Sequence, residues 1–174
     1  MFASITRGRI AAVGVLAAAG IAATVIAGSG ASAQTPAAGP TTIAFTEIEK
    51  AEPCCIADIA PKNRSRREPF MSPGDALVFS QMLRAADGKN IGRIYAKCAA
   101  IVPGRLTRAR YLCEGVYSFA DGTLTISGLS SFSQTTMTGA ITGGTGAYAN
   151  ARGTFTSKAP KPGANTQTVV TLAG

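Results

Sequence analysis

The sequence contains no histidine and no tryptophan, and aromatic residues make up only 6% of its 174 residues. Without histidine, no Ser-His-Asp triad, Cys-His pair or histidine metal site can be built. Scarce aromatics leave no platform on which nucleic-acid bases could stack, so nucleic acid is not an expected partner. Acidic residues number nine against 17 Lys and Arg, and charged residues reach only 15%, too few for a disordered polyelectrolyte.

What is present begins with an address. Arg7 and Arg9 precede an uncharged, Ala- and Gly-rich stretch over residues 10–27, which ends in GSGASAQ. A positive start, an apolar middle and an A-x-A end are what signal peptidase reads. Residues 1–33 are therefore expected to be a signal peptide cleaved after Ala33, leaving no stable membrane span. The alternative, an uncleaved anchor, takes about 20 predominantly apolar residues. Gly8 separates the arginines, so a twin-arginine signal is not supported. The expected location is secreted or periplasmic. Losing Arg7 and Arg9 lowers the net charge from +8 to about +6. The basic run KNRSRR at 62–67 reads as a solvated loop rather than an anionic-surface footprint, because no aromatics interleave it.

Export permits disulfides, and four cysteines allow three pairings. Cys98 and Cys113 lie in successive strand-like runs joined by IVPGRL, so an antiparallel hairpin would bring them face to face. Cys54 and Cys55 are adjacent; free thiols, a vicinal bridge and a bridge to another chain all stay open. Two adjacent and two distant cysteines give no C-x-x-C pair, so no metal is expected.

Residues 34–41 (QTPAAGPT) read as a linker, and residues 42–174 as a single β domain. Strand signals recur at 42–48, 75–84, 90–102, 108–119, 123–132, 137–142, 153–158 and 166–172, with turns expected at Asp87-Gly88 and Asp121-Gly122. Residues 49–74 between them read as one long irregular segment. Eight short strands and no helix predict an all-β fold, an eight-stranded antiparallel β-barrel wide enough to be filled by side chains or to hold one small ligand. Alternation puts Ile94, Ala96, Ala100, Tyr111, Gly115, Tyr117 and Phe119 on the cysteine face, inside. Arg93, Tyr95, Lys97, Arg110 and Glu114 fall on the opposite face, toward solvent.

ITGGTGAYA at 141–149 matches a G-x-G-x-x-A dinucleotide fingerprint, but NARGTFTSK follows it where a helix is required. Gly143, Gly144 and Gly146 read instead as a tight turn between strands. No cofactor is expected.

Three stretches carry a resemblance: GDALVFSQML with its return IGRIYAKCAAIV, then YSFADGTLTISG, and above all AITGGTGAYANARGTF. From Thr42 to the end, in this order, the chain resembles the allene oxide cyclase barrel superfamily, which includes the plant dirigent proteins. The resemblance implies an eight-stranded antiparallel barrel with an apolar lumen. In the plant cyclases an unsaturated fatty-acid epoxide lies in that lumen. A glutamate near the end of the first strand steers charge there, a position matched by Glu47. The family's asparagine two residues on is matched by Glu49, its second-strand amide by Gln81, and its third-strand cysteine by Cys98. Its fifth-strand tyrosine is replaced by Ser130, and the aspartate of many dirigent proteins after GGTG by Ala147. The barrel carries over better than either chemistry.

The expected lumen residues are thus Phe79, Gln81, Cys98, Tyr117 and Ser130, with Glu47 the candidate catalytic group. The expected partner is a small hydrophobic ligand, bound and, if turned over, cyclised or isomerised by confinement and one carboxyl. Dirigent relatives associate through their barrel exteriors, which allows a homo-oligomer. The competing expectation is a non-catalytic secreted binding or envelope interaction protein with a filled barrel. It goes with a Glu47 exposed at the strand end and paired with Lys50 or Arg66, which the residues alone favour. Turnover is undecided at this level.

Overall fold

In the computed structural model the described residues are 40–49, 55–59 and 69–174; the expected signal peptide, Cys54 and the basic run lie outside them. Eleven strands follow in order. The long ones are β1 (Thr41–Ile48), β4 (Ala76–Arg84), β5 (Asn90–Val102), β7 (Arg110–Phe119), β8 (Gly122–Ser130), β9 (Thr136–Gly146), β10 (Gly153–Lys158) and β11 (Thr166–Leu172). The short ones are β2 (Cys55–Ala57), β3 (Phe70–Met71) and β6 (Gly104–Arg105). The expected irregular segment therefore carries two short strands, β2 on the edge of β4 and β3 paired with β6. Among the described residues there is no helix.

From β4 to β11 each long strand pairs antiparallel with the next, and β1 pairs with both β11 and β4. The sheet is thus a closed eight-stranded antiparallel barrel, as expected. Closure leaves one gap. Ile48 of β1 pairs with Met82, and Cys55 of β2 pairs with Val78, so residues 79–81 of β4 face no strand on that edge among the described residues. Among the described residues the wall has a notch there.

Side-chain alternation sorts inside from outside as expected. Ile94, Ala96, Cys98, Ala100, Tyr111, Cys113 and Tyr117 are buried, whereas Tyr95, Lys97, Arg110 and Glu114 are exposed. The inward residues form two clusters. One gathers Phe45, Leu83, Ile94, Tyr117, Leu124, Ile141, Phe155 and Val170; the other holds Met71, Leu77, Ala109, Tyr111 and the cysteines. Phe79 and Met137 touch both.

The glycine-rich stretch departs from expectation. Gly143, Gly144 and Gly146 are strand residues of β9, not a turn; the turn is residues 147–150. A β-carbon at Gly144 would lie 2.2 Å from the Tyr148 carbonyl oxygen, so the turn folds back over a position where only glycine fits. Gly146, at φ 59°, starts that turn in the left-handed region. The second hairpin also turns one residue early, at residues 120–121, with Gly122 already paired to Phe119.

Candidate functional site

Where the two clusters meet, small inward residues fail to fill the barrel. In register across the wall stand Phe79, Ala96, Gly115 and Ile126, and one layer away Leu77, Cys98, Cys113, Gly128 and Gly139. The result is a cavity of about 620 Å³, bordered by Phe79, Ala96, Ile126, Met137 and Phe155 and by both cysteines. That is within the roughly 300–1,000 Å³ of small-molecule sites. The cysteines are bonded to each other, directly opposite in the β5/β7 register.

Glu47 stands in one wall of this cavity, at the closing seam, paired to Thr166 on β11 and to Leu83 on β4. It is 7% exposed, so the expectation of an exposed glutamate is overturned: closure by β11 and β4 encloses the strand end. The Tyr117 hydroxyl donates to Oε1 at 2.9 Å, and the Thr168 hydroxyl donates to the same oxygen at 2.6 Å. Thr168 has one proton and spends it here, so the 2.8 Å contact between Ser157 and Thr168 has Ser157 as donor. Oε1 is saturated. Oε2 is the oxygen left for a bound molecule.

Burial pushes the Glu47 carboxyl above its ordinary range, against the lowering effect of the bonds from Thr168 and Tyr117, and nearby Glu49 adds to the rise. Burial, then the Glu47 charge, raises the Tyr117 hydroxyl well above its usual value, so it stays protonated and donating. Glu49 is raised by burial too, and the Gln81 amide donates to its carboxylate. The backbone N–H of Glu49 is held by the Asn165 side chain at 3.0 Å.

The raised Glu47 carboxyl has a consequence for stability. A carboxyl raised on folding binds more protons folded than unfolded, so its contribution is complete below the unfolded value of 4.5 and is lost as pH rises through the folded value. Glu47→Gln should therefore be more stable than wild type at neutral pH, because the amide fills the same space with no charge to desolvate. The gap should close toward pH 4. Urea unfolding of both proteins across pH 4–8 checks this; a variant less stable at neutral pH refutes it.

The expected site residues mostly converge. Phe79, Gln81, Cys98, Tyr117 and Ser130 all border the cavity with Glu47. From outside the expected set, Ser157 borders the cavity and Thr168 bonds to Glu47, although alternation with Phe155 and Val170 points both inward. Among the described residues no group of three or more His, Cys, Asp or Glu side chains could hold a metal ion.

Residues 58–172, more than half of the sequence, match the allene oxide cyclase barrel like domain. The chain belongs to this family. The match begins after β1, so the place of Glu47 in this allene oxide cyclase-like barrel rests on the β1 pairings themselves. Among solved structures, the barrel is similar to a pyocyanin demethylase at 25% identity and TM-score 0.59, over 76% of this chain and all of that one. A pterocarpan synthase dirigent protein aligns at 19% identity and TM-score 0.56, over 76% of this chain and 82% of the other. A Diels-Alderase from Streptomyces koyangensis aligns at 16% identity and TM-score 0.53, over 75% of this chain and 63% of the other. The last two share the fold. No curated protein matches the sequence.

Proposed function

We propose that this barrel binds a small, largely apolar metabolite in its cavity and promotes its cyclisation or isomerisation, with Glu47 exchanging a proton or stabilising developing positive charge. The observation that carries this reading is the buried Glu47 carboxyl, with Oε1 held by two hydroxyls, in the wall of a cavity that Phe79, Ile126, Met137 and Phe155 also border. A carboxyl raised by burial suits proton transfer near neutrality. A snug lumen supplies the rest by holding a reactive conformer away from water. The names of two similar structures, a pterocarpan synthase dirigent protein and a Diels-Alderase, point the same way, and that of the demethylase points to a small-molecule substrate. Export, expected from residues 1–33, is supported by the Cys98–Cys113 bond, since such bonds persist in oxidising compartments.

The test is native mass spectrometry and time-resolved liquid chromatography of the purified chain after incubation with a metabolite extract of its own cells. Wild type and Glu47→Gln should both retain a discrete ligand, Ala96→Phe should lose it, and only wild type should convert it. Retention without conversion by wild type would make the protein a carrier. An empty wild type would refute both readings.

A further inference from the structure

The hydroxyls around Glu47 have spent their protons. The single protons of Tyr117 and Thr168 both go to Glu47 Oε1, that of Ser157 is given to Thr168, and the Gln81 amide donates to Glu49. That leaves Oε2 of Glu47 without a donor among the described residues, with the exposed Glu49 as a second carboxyl bordering the cavity. Among the described residues no Lys or Arg has the inward register of the barrel strands. Arg93 borders the notch but sits on the outward register of β5, where its Nη1 donates to Ser80 on the outer face of β4 at 3.2 Å. Glu114 likewise lies on the outward register.

We infer that the cavity selects an organic cation, a protonated amine or cationic nitrogen heterocycle whose positive end meets Glu47, and rejects ligands that end in a carboxylate. This rests on the reading of the cavity as a binding site and names the ligand class it takes. A carboxylate brought here would lose its water and meet a like charge in surroundings of low dielectric. A cation has the opposite effect. It draws Glu47 into its ionised form, which the two hydroxyl bonds to Oε1 already favour. The chain as a whole is basic, with net charge +8, so preference for a cation cannot come from its general field.

Three fluorescent probes of equal ring size separate the cases: 9-aminoacridinium, neutral acridone and 9-anthracenecarboxylate, each titrated into the full-length barrel. The cation should bind at least about tenfold tighter than acridone, and the anion at least about tenfold weaker. Glu47→Gln should erase the cation's advantage over acridone. In wild type the advantage should persist at high salt, because a buried pair is screened little; this readout needs no variant. An anion that binds as tightly as acridone overturns the inference while leaving the cavity as a binding site. So does a cation advantage that survives Glu47→Gln or vanishes with salt. Failure of all three probes to bind refutes the binding site itself, and the inference with it.

Discussion

Phe155→Ala is expected to lower the unfolding free energy by about 3–5 kcal/mol, the upper range for a truncated core ring. Phe155 is 2% exposed, and its ring stands edge-on to Tyr117 with centroids 6.4 Å apart. It also lies over Gly139, where an added β-carbon would come within 2.4 Å of the ring. A residue without a side chain on one side and an open cavity on the other leave nothing to move into the vacated space. Closure of the barrel matters equally, because β10 is hydrogen-bonded on both edges, to β9 and β11, and cannot shift inward. Urea unfolding should show a lower midpoint at unchanged slope. A loss under about 1 kcal/mol would mean that the ring is not packed as described.

Removing the lumen disulfide should cost a similar amount for a different reason. Cys98 and Cys113 are 15 residues apart, and a loop of that length is worth about 3 kcal/mol in the chain-entropy account. Unlike Phe155→Ala, the double variant Cys98→Ala/Cys113→Ala acts mainly by freeing the unfolded chain. Wild type unfolded in reductant should reach the same midpoint as the double variant. Coincidence of oxidised wild type with the variant would show that the bond contributes nothing. Because both cysteines are at most 5% exposed, reductant should have little effect on the folded protein until it opens.

Much of the barrel is legible in the sequence because its strands alternate cleanly. RYLCEGVYSF shows it best: Tyr111, Cys113 and Tyr117 point in, while Arg110, Leu112 and Glu114 point out. The same alternation places the two cysteines opposite each other. The glycines of β9 mislead because a short run of glycines signals a turn as readily as a strand over which backbone must pass closely. Glu47 misleads for a different reason. The eight residues of β1 alternate without showing what lies beside them, and the partners that bury Glu47 are Thr168, 121 positions away, and Tyr117, 70 away. Local pattern cannot report a seam. The notch at residues 79–81 is equally hidden, since it follows from where β1 stops and β2 starts on a shared edge.

That seam also governs how the molecule is assembled. The hairpins from β4 through β11 join neighbours along the chain, whereas β1 must find β11 across nearly the whole domain, Thr41 ending beside Leu172. Such distant pairing is the slow, entropically disfavoured part of folding. Until it happens, the remaining strands form an open meander with the β11 edge and the rest of the β4 edge beyond β2 bare, each a template for another copy's strand. The first strand is therefore an edge protector as well as the carrier of Glu47. Strand exchange between copies would proceed through it, and an exchanged pair would rebuild each carboxyl site from two chains.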